Sequence, residues 1–444
     1  MKNEITLQTR REFLRSTVLT SALSWTVPAF LSNTFSALQA GAADSARQIT
    51  GGRDATILVV LQMAGGNDGL NTLVPHTNDH YYKARPRIAI PAKEVLKIND
   101  TVGLHPSLTG FKELYDAGQF SIIQGVGYPN PNRSHFRSTE IWQTASDSER
   151  FEKYGWLGKY FDNTCSGCDP TVAVNVGRQM PQAFSARHPK GVAVDNPQNY
   201  RFITRGGSDD AKMMESSYRD MNEQEMQAGY VENSGGSIGA ISGPAAPVKG
   251  STLEFLERTA LDAQMSSDQI RAISNRTSSQ AVYPASQLGN SLKLVAKLIG
   301  GGLPTRIFYV SQGGYDTHTN QVPTQARLLK DLGDSVKSFT DDLKAQGNLP
   351  RVLVMTFSEF GRRVADNANN GTDHGAAAPM FMIGSQVKAG LLGQQPSLAP
   401  GDLFQGDVKY NVDFRCAYAG VLEHWLKTPS EPILGRKFPP LKFV

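Results

Sequence analysis

Cysteine is scarce in this sequence, with three residues in 444. Two of them, Cys165 and Cys168, form one C-x-x-C motif. The chain has no second C-x-x-C and no histidine pair nearby, which excludes a complete zinc finger. A catalytic redox pair usually opens a helix, whereas Asp169-Pro170 and a strand-like run follow this one. The motif therefore favours a small loop disulfide, with a redox pair and half of a metal site as the open alternatives.

An excess of charge of either sign is also lacking. The formal net charge is +4, and part of it comes from the first 42 residues, which hold Lys2, Arg10, Arg11 and Arg15 against two glutamates. The chain has no lysine-rich stripe and no basic tail. Composition thus gives no support to a nucleic-acid partner.

A long uninterrupted apolar run is missing at the N terminus too. Residues 1–42 have a twin arginine, Arg10-Arg11, an apolar stretch broken by Pro28, and the small residues Ala40-Gly41-Ala42. This pattern predicts a twin-arginine export signal cleaved near Ala42. The export machinery is then a partner, and the mature protein is periplasmic or secreted. A membrane anchor is disfavoured because the interrupted run is short for a bilayer.

In residues 43–444, strand-like apolar runs alternate with helix-like segments. The pattern predicts an α/β fold: a mostly parallel, doubly wound sheet in a three-layer α/β/α sandwich. Residues 205–250 are polar and lack apolar periodicity, and we expect a lid or insertion around residues 205–285. The strands are expected at residues 55–63, 120–128, 171–176, 191–196, 306–311, 351–357 and 379–384.

Polar side chains follow several of these runs, at the carboxyl ends where chemistry collects in such sheets. Carboxylates combined with neutral imidazoles suit Zn²⁺ or Mn²⁺, so one or two divalent ions are expected. Paired metals can clamp both oxygens of an in-line displacement at phosphorus or sulfur. A serine at a helix N-terminus is well placed beside an anion. The candidates are Asp68, Arg133, Ser134, Asp316, His318, Glu359, Arg362, Asp373 and His374.

Each candidate also has a purely structural interpretation. Asp373 and His374 fit an ordinary surface turn, in which the aspartate caps a backbone N–H. Ser134 fits a helix cap. Glu359 and Arg362 fit a structural salt bridge.

The chain resembles the exported proteins called domain of unknown function 1501, grouped with the alkaline phosphatase/sulfatase/cofactor-independent phosphoglycerate mutase superfamily. The resemblance rests on LQMAGGNDGLNTLVP, YPNPNRSHFRSTEIWQT, GGYDTHTNQ, TFSEFGRRV and GTDHGAAAPMFMIG, and it covers nearly the whole mature chain. It implies an alkaline phosphatase-like fold.

The resemblance also implies roles for these residues. One metal would be held by Asp68, Asp373 and His374. A second would be held by Asp316 and His318, which stand two residues apart where the superfamily pattern has four. The second metal then needs Glu359 or His135 as a further ligand. Ser134 would be the nucleophile, and Arg133 or Arg362 would counter the oxyanion charge. No cysteine replaces Ser134, so cysteine-derived formylglycine chemistry is not supported.

These expectations combine into an exported metal-dependent hydrolase acting on a phosphate or sulfate ester, either a small molecule or a polymer. A non-catalytic cell-envelope protein on a degenerate hydrolase scaffold, used for binding or assembly, is the alternative. A thiol redox protein using Cys165 and Cys168 is a third hypothesis.

Overall fold

A computed structural model describes residues 55–165, 168–188, 191–198, 266–279 and 281–444. The predicted export signal and most of the predicted lid lie outside these residues. At the end of the lid segment, residues 266–276 are helical and bury Ile270 and Ile273 in the core. No helix in the described ranges is long and apolar enough to cross a bilayer.

The strands of the described chain are, in order, β1 (Ile57–Met63), β2 (Leu73–Val74), β3 (Leu96–Lys97), β4 (Gly103–Leu104), β5 (Phe120–Gly127), β6 (Ala173–Val176), β7 (Val192–Ala193), β8 (Ile307–Gln312), β9 (Val352–Phe357), β10 (Ala378–Ile383), β11 (Gly390–Leu392) and β12 (Val412–Asp413). The labelled helices are α1 (Gly69–Thr72), α2 (Asp79–Ala84), α3 (Thr109–Asp116), α4 (His135–Thr144), α5 (Trp156–Thr164), α6 (Gln287–Gly300), α7 (Gln321–Ala345), α8 (Phe414–Gly420) and α9 (Glu431–Leu434). A π-helical turn, Val421–Trp425, continues α8.

The main sheet has the strand order β11-β5-β10-β9-β1-β8-β6-β7, and β12 also pairs with β5. All neighbouring strands are parallel except β10, which is antiparallel to both β5 and β9. A parallel return needs a crossover, usually a helix, whereas residues 358–377 between β9 and β10 contain none. The predicted mostly parallel sheet is therefore confirmed, with one reversed strand.

Two hydrophobic layers cover the two faces of this sheet. Alternate residues of β1 divide between them, with Val59 and Leu61 on one side and Leu58 and Val60 on the other. Helices α3, α6 and α7 pack on the first side, and α4, α5 and α8 pack on the second. Burying each such aliphatic side chain contributes about 1.5–3 kcal/mol. The predicted α/β/α sandwich is thus confirmed.

The reversed direction of β10 matters for the site. The carboxyl ends of β1, β5, β8 and β9 lie at one edge of the sheet, and the amino end of β10 lies at the same edge. The segment that carries Asp373 and His374, which precedes β10, therefore reaches the loops that follow the parallel strands.

The C-x-x-C motif lies at the end of α5. Cys165 and Cys168 form a disulfide, with 5.5 Å between their Cα atoms. Cys165 is the residue that closes α5, so the pair ends a helix instead of opening one. The predicted loop disulfide is confirmed.

Candidate metal centre

Histidine rings converge on the carboxylate of Asp316 at the carboxyl edge of the sheet. Asp316 and His318 lie in the loop between β8 and α7, His135 is the first residue of α4, and His374 precedes β10. The Nε2 atoms of His318 and His374 are each 3.1 Å from Asp316 Oδ1. Nε2 of His135 is 3.5 Å from Asp316 Oδ2. The two Nε2 atoms of His318 and His374 are 2.9 Å apart.

Each of these rings is oriented through its other nitrogen by an oxygen atom. Nδ1 of His374 lies 2.8 Å from the carbonyl oxygen of Arg133, and a carbonyl only accepts, so this nitrogen carries the proton. Nδ1 of His135 lies 2.9 Å from Glu359 Oε1, and Nδ1 of His318 lies 3.2 Å from Asp373 Oδ1. Metal-binding histidines are held in this way, with the second nitrogen donating to a carboxylate or carbonyl.

The donor set fits a divalent ion. Ligand atoms of His135, Asp316 and His374 all lie within 4.8 Å of one another. In a tetrahedral zinc site, with ligands at about 2.0–2.1 Å, adjacent ligand atoms are about 3.3 Å apart. His135 Nε2 and Glu359 Oε2 are both buried, and neither has a hydrogen-bond partner among the described residues. A buried polar atom left without a partner is costly, and a bound cation would satisfy the imidazole nitrogen.

The protonation states of Asp316 and His374 also favour a metal site. Burial opposes ionisation of Asp316, but the hydrogen bond and the positive charge of Arg362 outweigh it and lower the pKa of the carboxyl to about 2. Burial lowers the pKa of His374, which keeps its imidazole neutral at pH 7. An ionised carboxylate and a neutral imidazole are the forms that bind metal.

Arg362 supports this centre from beneath and is fully buried. Its Nε donates to the carbonyl of Gly66 at 2.6 Å and its Nη1 to that of Thr372 at 2.9 Å. Its Nη2 donates to Asp316 Oδ1 at 2.7 Å and also to the carbonyls of Gly65 and Tyr315. The guanidinium thus ties three loops together. The expected salt bridge between Arg362 and Glu359 is replaced by the pair of Arg362 with Asp316.

Glycines allow these loops to approach closely. Gly65 has φ +120°, and a Cβ atom there would lie 2.5 Å from the backbone nitrogen of Asp316. A Cβ atom at Gly375 would lie 2.4 Å from the backbone of Arg362. Any larger residue at either position would push the loop that carries Asp316 or His374 out of place.

Asp68 is not brought into this cluster. It caps α1 by accepting from the backbone of Leu70 and Asn71 through Oδ1. Its Oδ2 accepts from Arg85 Nη1 at 2.6 Å and from Gln321 Nε2. Both side chains of the Asp68–Arg85 pair are completely buried. The predicted grouping of Asp68 with Asp373 and His374 is therefore not the geometry observed, because an arginine already neutralises the carboxylate.

The remaining sequence candidates surround the centre. Ser134 is exposed at the N-cap position of α4, and its side chain makes no capping hydrogen bond. Arg133 pairs with Asp407. Glu359 and Asp373 contact histidine Nδ1 atoms, so they lie behind the imidazoles rather than beside the Nε2 atoms.

His135 entered the sequence prediction only as a substitute ligand, although its ring lies inside the cluster. The usable signal was its place at the start of a helix that follows a buried strand. Helix α4 begins at His135, so its first side chain lies at the same edge of the sheet as the loop after β8.

The fold and site define an α/β sandwich with a histidine–carboxylate centre at the carboxyl edge of its sheet. The chain belongs to the family described as "Protein of unknown function (DUF1501)", whose model matches residues 55–408. Among curated proteins, none matches this sequence.

Several solved structures have a similar fold at low identity. A sulfatase from Pseudoalteromonas sp. is 12% identical, with 78% of this chain and 65% of that one covered and a TM-score of 0.32. A protein in the alkaline phosphatase superfamily from Vibrio parahaemolyticus is 10% identical, with coverages of 84% and 73% and a TM-score of 0.31. A phosphonate monoester hydrolase of Agrobacterium radiobacter is 8% identical, with coverages of 88% and 79% and a TM-score of 0.35. The chain spans just under two thirds of the length of the Pseudoalteromonas sulfatase.

Proposed function

We propose that this protein is an exported, metal-dependent hydrolase of phosphate or sulfate esters. The observation that supports this proposal best is the convergence of three imidazole Nε2 atoms on Asp316, with an oxygen atom behind every Nδ1. A histidine network that served only structure would have its ring nitrogens satisfied, whereas His135 Nε2 has no hydrogen-bond partner in the part of the chain that the structure describes.

One divalent ion, Zn²⁺ or Mn²⁺, would be held by His135, Asp316 and His374, with His318 in reach of the same position. When bound, such an ion supplies Lewis acidity toward an ester oxygen and helps to activate a nucleophile. A single ion is proposed because the other carboxylates expected as ligands are engaged elsewhere: Asp68 pairs with Arg85, and Asp373 and Glu359 contact histidine Nδ1 atoms. Glu359, Asp373 and the carbonyl of Arg133 would keep the imidazoles in their binding orientation.

Ser134 is the proposed nucleophile. Its hydroxyl is free of the capping bond that this position usually makes. It precedes His135 directly, so it lies beside the centre at the start of a ten-residue helix. The backbone N–H groups of the first turn of α4 favour an anionic ester group there. Arg362 keeps Asp316 ionised and fixed in place through the hydrogen bond between them.

The test is hydrolysis of a panel of phosphate and sulfate esters by protein loaded with Zn²⁺ or Mn²⁺. Ser134→Ala should lower kcat by roughly a thousandfold or more while metal content stays the same. Ser385→Ala, at an exposed serine outside the site, is the matched control. Full activity in Ser134→Ala would rule out this nucleophile. Metal-loaded protein that hydrolyses no ester would favour the non-catalytic envelope role instead.

Export is proposed from residues 1–42. Replacing Arg10 and Arg11 together by lysine should leave the protein in the cytoplasm with its signal uncleaved, because the export route reads the arginine pair. Cell fractionation and intact mass measure both outcomes. Unchanged secretion of the double variant would contradict the proposed route without bearing on the hydrolase.

A further inference from the structure

Beside the metal centre, two arginines share one buried carboxylate. Nε and Nη2 of Arg133 lie 2.8 and 2.5 Å from Asp407 Oδ2. Nε of Arg363 lies 3.8 Å from Asp407 Oδ1. Asp407 is completely buried, whereas the side chains of Arg133 and Arg363 are 31% and 40% exposed. The carboxylate therefore forms the floor of this group, and the two guanidinium groups form its solvent-facing side.

The charges of this group do not balance. Two guanidinium ions face a single carboxylate in the group, and the further carboxylate whose charge acts on Arg363 is that of Asp373, which is 58% exposed and contacts His318. Arg363 contacts Asp407 only at 3.8 Å, beyond hydrogen-bond distance. Asp407 Oδ1 accordingly has no hydrogen-bond partner in the described part of the chain. The guanidinium of Arg363 thus has donors to offer to an incoming group.

The group is attached directly to the metal centre through the backbone. The carbonyl of Arg133 accepts from His374 Nδ1 at 2.8 Å. The backbone N–H of Arg363 donates to the carbonyl of Asp373 at 3.0 Å. Each guanidinium group is therefore no farther from the segment that carries His374 than the length of an arginine side chain.

The kind of ligand follows from this chemistry. A half-exposed arginine pair presents planar N–H donors that match a sulfate, phosphate or carboxylate group, and such charge-assisted bonds are strong. A neutral or cationic group would leave the N–H donors of Arg363 without an anionic acceptor.

We propose that Arg133 and Arg363, held by Asp407, bind a second anionic group of the substrate. The substrate class is then an ester with at least two anionic groups, such as a multiply sulfated or phosphorylated saccharide, of which one occupies the metal centre. This inference rests on the proposed function for the first of the two groups.

The experiment compares two ligands of the zinc-loaded protein by isothermal titration calorimetry: a disaccharide with one sulfate and the same disaccharide with two. Wild type should bind the doubly sulfated sugar at least about tenfold more tightly, since the second sulfate accepts charge-assisted hydrogen bonds from the arginines. Arg363→Gln should reduce that preference to about twofold or less, with a smaller effect on the singly sulfated sugar. Arg363→Lys should keep part of it, because the charge remains but the planar fork is lost.

The matched control is Arg178→Gln, which removes an 86% exposed arginine whose partner is Asp195. It should keep the full preference. Equal affinity of wild type for both sugars, or an undiminished preference in Arg363→Gln, overturns the second anion site while leaving the metal centre standing. Failure of the wild type to bind either sugar overturns this inference, and metal content measured on the same sample then shows whether the metal centre fails with it.

Discussion

Asp68 and Asp316 follow neighbouring parallel strands, β1 and β8, and each is paired with a buried arginine, yet their surroundings are opposite. The side chain of Asp68 is 0% exposed, and its oxygens accept from Arg85, Gln321 and the backbone of α1. The side chain of Asp316 is 48% exposed and faces three imidazole rings.

The hydrogen-bond network around Asp68 is complete, whereas the network around Asp316 is not. All the donors around Asp68 are committed, so the carboxylate is neutralised without an ion. The imidazoles around Asp316 have their Nδ1 atoms occupied and their Nε2 atoms turned toward one another. The Nε2 atoms of His318 and His374 are 2.9 Å apart, so a proton or a cation must lie between them. We therefore propose that Asp68 stabilises the fold and that Asp316 belongs to the metal centre.

The largest expected effect is on stability and concerns Asp68. Asp68→Ala leaves the guanidinium of Arg85 buried without its carboxylate, which should cost about 3–5 kcal/mol of unfolding free energy. Asp316→Ala, compared in the presence of chelator, should cost about 1 kcal/mol or less, because the carboxylate is half exposed and Arg362 keeps its carbonyl partners. Urea unfolding measures both. Equal losses would remove the distinction between the two carboxylates.

The next effect is on metal affinity and concerns the oxygens behind the imidazoles. Glu359→Gln should weaken Zn²⁺ binding by about 10–100-fold, since the ring of His135 loses its anionic partner. Asp68→Asn should stay within about twofold of wild type at a temperature where it remains folded. Competition with a fluorescent chelator gives the affinities. Weaker Zn²⁺ binding in Asp68→Asn, together with unchanged Zn²⁺ binding in Glu359→Gln, would contradict the roles proposed for these two residues.

The smallest effect is a pH dependence of the unfolding free energy, and it comes from the buried residue His105. Burial lowers the pKa of His105 to about 4, and its Nδ1 accepts the N–H of Ser107 at 3.0 Å. Because the folded pKa lies below the ordinary value of 6.5, the unfolded chain takes up the proton first as the pH falls. Stability is therefore nearly constant above about pH 7.5 and declines as the pH falls toward 4, by about 1 kcal/mol between pH 6.5 and 5.5.

His105→Gln is the variant that checks this prediction. Its unfolding free energy, measured at intervals between pH 7.5 and 5, should fall less steeply than that of the wild type. Parallel curves for the two proteins would show that His105 does not contribute to the pH dependence of the unfolding free energy.

Much of the fold follows from local patterns. The short apolar runs at β1, β5, β8 and β9 predict buried strands, and the polar residues after them predict which edge carries the site. The reversed direction of β10 can also be predicted from the sequence, because the segment before it has no helix-like stretch long enough for a crossover.

The roles of individual side chains depend on partners distant in the chain. Asp68 and Asp316 look alike in sequence, and what distinguishes them is Arg85 and Gln321, which the fold brings to only one of them. Asp373 and His374 were both expected as ligands. As neighbours in an extended segment they point in different directions, so His374 reaches Asp316 while Asp373 reaches the far side of His318.

We propose that one ion binds at Asp316 and the histidines, and that Asp68 takes no part. Elemental analysis of zinc-loaded protein after gel filtration tests it most directly. We expect one ion per chain in wild type, one in Asp68→Asn and none in His374→Ala. Two ions per chain in the wild type, or an ion retained in His374→Ala and lost in Asp68→Asn, would contradict it.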